Sequence, residues 1–155
     1  MKIIGDIRLY KSSKAYNHVS FTNKSLNIAA HRVAMKLREQ CFSLGEFDHL
    51  YLNFTVCRSA GTIELIDEID RYHPWYRYCD IGLSQPEYDR LEIDGNTDYV
   101  YGKIETVLLN LFCSGEAADK IVKKAIDEAK AGPEMLMRFK EKRLKKVLLR
   151  FILGC

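Results

Sequence analysis

Hydrophobic and polar positions change period several times along this chain, and each change marks an element. Between Phe47 and Cys57 the period is two. Leu50, Leu52, Phe54 and Val56 point one way and His49, Tyr51, Asn53 and Thr55 the other, which predicts a strand with one buried face. Upstream, Leu26, Ala30, Val33, Leu37, Cys41 and Leu44 recur at three- and four-residue spacing opposite Arg32, Lys36, Arg38 and Glu39. That is the stripe of an amphipathic helix, with Asn23 or Ser25 as its cap and Gly45 as its stop.

The remaining segments follow the same logic. Lys2–Tyr10 alternates with Ile3, Ile7 and Leu9 on one side, and Tyr16–Phe21 reads as a second strand after the polar turn at Lys11–Lys14. Trp75–Leu83 places Trp75, Arg77, Cys79, Ile81 and Leu83 on one face, with Tyr76, Tyr78 and Asp80 on the other. Trp75 is therefore expected to fill the core. Pro86 starts a short helical turn to Leu91, and a helix from Thr97 or Asp98 carries Val100, Ile104, Val107, Leu108 and Leu111. Another helix, Glu116–Ala131, turns Ala118, Ile121, Val122, Ala125 and Ala129 inward before Gly132-Pro133 stops it. Glu134–Lys140 and Lys146–Leu153 read as a hairpin, with a basic helix as the competing reading. This order predicts one α+β domain over residues 1–155, a mixed or mostly antiparallel sheet with about three helices packed on it.

The apolar fraction of 47% and charged fraction of 29% belong to a globular domain. No apolar run reaches the roughly 20 residues of a membrane helix. An acid and a glycine stand at Gly5-Asp6 where a signal peptide needs its apolar stretch, so a cytoplasmic protein without a membrane partner is expected. Five unevenly spaced cysteines without a C-x-x-C pair read as small buried hydrophobes in a reducing compartment. The net charge of +3 hides an asymmetry: residues 64–98 hold ten acids against three bases, and residues 138–150 hold seven bases against Glu141. Such poles govern encounter with partners rather than the fold.

Motifs for catalysis are absent: the chain has no phosphate-binding glycine loop, no G-x-S-x-G and no H-E-x-x-H. No enzyme activity, cofactor or metal is expected. The alternatives are a small metal-dependent nuclease or hydrolase, using His18 and His49 or the Asp67–Asp70 carboxylates, and a nucleic-acid-binding module using the basic segment near the C-terminus. Against the first, a single acidic run is more often a solvated face. Against the second, that segment interleaves only Phe139 and Phe151 among its bases, so no nucleic-acid partner is expected. The most distinctive stretch is Asp70-Arg71-Tyr72-His73-Pro74-Trp75-Tyr76-Arg77-Tyr78, rich in the residue types that dominate protein interfaces.

That stretch, with Phe47–Thr55 upstream and Ala131–Lys142 downstream, resembles the bacterial immunity proteins catalogued as immunity protein 39, which accompany polymorphic and contact-dependent inhibition toxins. The resemblance spans most of the chain and brings no catalytic residues with it. It implies one-to-one binding and neutralisation of the C-terminal domain of a cognate toxin, many of which are nucleases with basic clefts. The acidic and aromatic middle then supplies the candidate partner-binding residues Asp67, Glu68, Asp70, Tyr72, Tyr76, Tyr78, Glu87 and Asp89.

Overall fold

The computed structural model describes residues 1–131. Five strands form one sheet: β1 (Asp6–Ser12), β2 (Val19–Ser20), β3 (His49–Thr55), β4 (Ile63–Leu65) and β5 (Tyr76–Gly82). Their spatial order is β2-β1-β3-β5-β4. The helices are α1 (Lys24–Glu39), α2 (Gln85–Asp89), α3 (Thr97–Phe112) and α4 (Glu116–Lys130). The chain is thus an α+β domain with a mixed sheet. Its three central strands are parallel and its two short edge strands antiparallel to them. The expected tail hairpin, its helical alternative and the basic segment 138–150 lie outside the described residues.

Topology explains the parallel centre. After β1 and the short return of β2, α1 carries the chain back across the sheet, so β3 must enter alongside β1 in the same direction. After β3, the loop 56–62 crosses the end of β5, and β4 runs back along β5's outer edge. β5 can then enter parallel to β3. Sequence patterning sees the buried face of the three central strands, but not the direction in which their neighbours run.

The helices cover one face of the sheet. Ile7, Leu9, Leu50, Leu52, Phe54, Cys79 and Ile81 alternate onto that face and join Leu26, Ala30, Val33, Leu37, Val100, Ile104, Leu108, Val122 and Ile126 in one buried cluster. α1 lies against β1, and α3 and α4 pack on α1. The cap of α1 is Asn23, whose side chain accepts the Ser25 N–H at 3.0 Å. Ser84 and Glu87 form a reciprocal capping box that starts α2.

Some expectations shift. Ile4, not Ile3, enters the core, while Ile3 makes an isolated bridge to Ser43. α1 stops at Glu39 rather than Gly45, because Cys41 adopts a left-handed backbone with φ 54°. Leu44 still reaches the core from the loop beyond. β4 falls in a stretch without a firm period. Trp75 does not fill the core: half-buried just before β5, it meets His73 edge-on at 5.8 Å and lies under the Lys2 ammonium. Cys79 is buried and Cys57 exposed, both with free thiols, and Cys41 is disulfide-bonded, so the expectation of buried, reduced cysteines holds at Cys79 but not throughout. No helix among the described residues is long and apolar enough to cross a membrane.

Candidate functional site

Among the described residues no helix covers the other face of the sheet, and register decides what that face presents. In parallel pairing, Tyr51 lies beside Arg8 and Tyr78, His49 beside Asp6 and Tyr76, and Asn53 beside Tyr10 and Asp80. The polar half of each alternating strand therefore meets on one surface. Tyr51 is the centre of an aromatic row, with ring centroids 5.5 Å from Tyr10, 4.8 Å from Tyr76 and 5.1 Å from Tyr78. His73 extends the row by stacking parallel on Tyr76 at 4.6 Å.

Nearer the carboxyl ends of the strands the row gives way to a polar network. Asn53 Nδ2 donates to Ser12 Oγ at 3.1 Å and to Asp80 Oδ1 at 3.0 Å, and Ser12 Oγ donates to Thr55 Oγ1 at 2.9 Å. His18 Nε2 lies 3.3 Å from the same amide nitrogen. Arg58 joins from the loop after β3, its Nε donating to Asp80 Oδ2 at 3.0 Å and its Nη1 pairing with Glu64 at 3.2 Å. Tyr10, Tyr51 and Tyr78 of the row, with Ser12, His18, Asn53, Thr55, Arg58 and Asp80 of the network, line a cavity of about 770 Å³. Its walls are the loop 13–18 on one side, with Ala15, Tyr16 and His18, and the loop 66–70 on the other, with Ile66, Glu68, Ile69 and Asp70. Ligands of open α/β sheets commonly bind near the carboxyl ends of strands, and a cavity of this size is ordinary for a binding site.

Asp70 holds the second wall in shape. Its Oδ1 accepts the backbone N–H groups of Tyr72 and His73 at 2.8 and 2.9 Å, and its Oδ2 accepts the Tyr78 hydroxyl at 3.0 Å. The His73 and Tyr72 amides, with the Tyr78 hydroxyl, keep this carboxyl below the usual carboxylate range. Burial, then the neighbouring Asp70 carboxylate, pushes the Tyr78 phenol up to about 12. Burial likewise raises Tyr51, so both phenols stay protonated at neutral pH. At the other end of the face, burial opposes ionisation of Asp6, but hydrogen bonds from His31 and Arg8 outweigh it and lower its pKa.

Because Asp70 is depressed in the fold, the turn it builds is complete at neutral pH, above the unfolded value of about 3.9, and is lost as pH falls through the lower folded value. Amide protection at Tyr72 and His73 should be constant from pH 7 to about 5 and collapse in stronger acid, near or below pH 3.9. Hydrogen exchange followed by NMR reads this directly, and protection that persists unchanged to pH 2 would remove Asp70 as the cause.

Glu68, Asp70 and Tyr78, expected from the sequence as partner-binding residues, come together in the cavity, and Tyr76 adjoins it through Tyr51. Asp67 and Tyr72 point to solvent on the same loop, Tyr72 being 77% exposed. Glu87 and Asp89 do not join them. Glu87 accepts the Ser84 N–H in its capping box and Asp89 accepts from Gln85, both on α2 and outside the cavity lining. The acidic stretch is also less available than its count implies. Glu64, Asp70, Asp80, Glu87, Asp89 and Glu92 all have partners, whereas Asp67, Glu68, Asp94 and Asp98 have none among the described residues. His18 and His49 do not converge. His18 sits over Asn53, while His49, four residues or roughly 13 Å back along β3, pairs with Asp48 and lines a different depression. Among the described residues no group of three or more His, Cys, Asp or Glu side chains is placed to hold a metal ion.

Comparison with known proteins returns no match, whether to family models, to curated proteins or to solved structures.

Proposed function

We propose that this chain is an immunity protein that binds and neutralises the C-terminal domain of a cognate bacterial toxin, and that the sheet face opposite the helices is the contact surface. The observation that supports this most is the make-up of that face. A row of tyrosines floors a concavity whose lips carry exposed apolar groups, Tyr16 at 100% and Ile69 at 61% exposure, with Tyr72 beyond them. Large aromatic groups around a concavity, ringed by polar residues, are what stable protein interfaces use as anchors. Asp67 and Glu68, without a partner among the described residues, stand on the same rim and supply the negative field that a basic cleft would meet.

The test is to find whether a gene beside this one encodes a large secreted protein and, if so, to mix the chain with that protein's C-terminal domain. A one-to-one complex that abolishes the toxic activity is expected, and no complex would end the immunity reading. The double variant D67K/E68K should slow association at low salt roughly tenfold, with the difference shrinking as salt rises. Asp70 is left intact because it builds the turn. A double variant that associates like the natural chain at every ionic strength would remove the acidic rim from the interface.

A further inference from the structure

We propose that the depression at the amino ends of β1 and β3 binds a phosphate group between His31, His49 and Arg38; the site stands independently of the function proposed above. The depression has a volume of about 580 Å³ and lies at the other end of the strands from the tyrosine-lined cavity.

Two histidine–aspartate pairs meet there. His31 Nδ1 lies 2.9 Å from Asp6 Oδ1, and His49 Nδ1 lies 2.7 Å from Asp48 Oδ1. Parallel pairing sets Asp6 directly beside His49, so the pair that bridges α1 to β1 adjoins the pair at the start of β3. An ionised carboxylate only accepts, so each draws the protonated Nδ1 of its ring and leaves Nε2 for a ligand. Neither Nε2 has a partner among the described residues. His49 is held further by its packing on Tyr76, with ring centroids 5.0 Å apart. The Gly5 N–H donates to Asp48 O at 2.6 Å and ties this corner to the start of β1.

Arg38 brings the permanent charge. It follows His31 by seven residues, about two turns or 10 Å along α1, and lines the same depression. It is exposed and has no ion pair or side-chain hydrogen bond among the described residues. Asp6 is answered by Arg8 Nε at 3.1 Å as well as by His31, and Arg38 offsets Asp48. The two imidazoles therefore decide the local balance. The carboxylate behind each ring stabilises the imidazolium that an anion in front of it would favour.

The arrangement of donors selects the anion. A planar carboxylate is satisfied by the fork of one guanidinium. Donors that arrive from two turns of a helix and from a strand suit a tetrahedral group with oxygens on every side, and the guanidinium matches phosphate geometry. A cation is the competing occupant wherever two carboxylates are close. Here both are engaged by the rings, and among the described residues no three His, Cys, Asp or Glu side chains are placed to hold a metal ion.

Inorganic phosphate is the probe, titrated into the ¹⁵N-labelled full chain at constant pH and ionic strength and followed by long-range ¹H–¹⁵N spectra of the imidazoles. Saturable shifts at Nε2 of His31 and His49 are expected, with a Kd of about 1–10 mM, while His18 and His73 stay still. Acetate should bind about tenfold more weakly. Arg38→Gln and His31→Asn, both at exposed positions that the core does not need, should each weaken phosphate binding about tenfold. Lys124→Gln, an equal change of charge on α4, should leave it unaltered. Methyl phosphate and dimethyl phosphate separate the two sources of such a group: tighter binding of the first assigns a terminal phosphate, and of the second a bridging phosphodiester. No saturable shift at roughly 50 mM phosphate, or shifts at all four histidines alike, overturns the inference. So does acetate binding as tightly as phosphate, or Lys124→Gln losing as much affinity as the two site variants.

Discussion

Gly82→Ala is expected to cost about 3 kcal/mol, the upper end of what overpacking costs, and to collapse the cavity while leaving the helices packed. An added Cβ would meet Ser59 O at 2.0 Å and the Thr62 hydroxyl at 2.6 Å. The first is backbone and cannot rotate away. Nor is the loop free to retreat: Ser59 O accepts from both the backbone and the hydroxyl of Thr62, while Gly61 and Thr62 exchange hydrogen bonds with Gly82 at 3.0 and 2.8 Å. Gly82 shares a face with Asp80, so the loop that crosses it is what delivers Arg58 to the Asp80 carboxylate. Chemical denaturation should report the lost stability, and NMR should show changes concentrated at residues 57–66 and 78–83. A stability within about 0.5 kcal/mol of the natural chain would show that the loop does not seal the end of β5.

The same glycine shows where sequence reading stops. The period-two pattern at Leu50, Leu52 and Phe54 places a strand and its buried face correctly, and the same pattern puts Tyr51, Asn53 and Thr55 on the opposite side. The stripes of α1, α3 and α4 are equally legible, because burial on one side of a helix repeats locally. Nothing local states that Asn53 will lie beside Asp80, or that Ser12 will reach Thr55 across 43 residues of chain. Those contacts depend on parallel pairing, which the α1 crossover and the β4 return create. A turn over residues 58–61 is readable, but its landing on Gly82 is not.

Charge counting fails for a related reason. The ten acids of residues 64–98 look like one field in the sequence, yet most of them serve the fold. Asp70 builds a turn, Glu87 caps a helix, Asp80 anchors the floor network, and Glu92 ties the backbone N–H groups of Thr22 and Asn23 to Lys11. A carboxylate that accepts backbone N–H groups is already spent electrostatically. The field offered to a partner from the cavity side is set by Asp67 and Glu68, a smaller and better-placed pair than the count implies.

Phe54→Ala should separate the fold from the site most sharply. The ring is 0% exposed on the helix-facing side of the central strand and packs on Phe21 with centroids 5.4 Å apart. Truncation removes its transfer energy and leaves a cavity in a core braced on every side, a cost of about 3–5 kcal/mol. Against a total stability of roughly 5–15 kcal/mol, that is enough to lower the melting temperature by about 10 °C or more. Tyr72→Ala, on the rim, removes a side chain that is 77% exposed and whose only ring contact among the described residues is with Arg71, so it should stay within about 0.5 kcal/mol yet lower affinity for the proposed toxin partner. The two variants measured side by side by thermal and chemical denaturation and by binding give opposite signatures. A Phe54→Ala protein as stable as the natural chain would contradict the packing of the helices on that face. If Tyr72→Ala lost stability rather than affinity, the rim would belong to the fold, and the contact surface would have to lie elsewhere on the molecule.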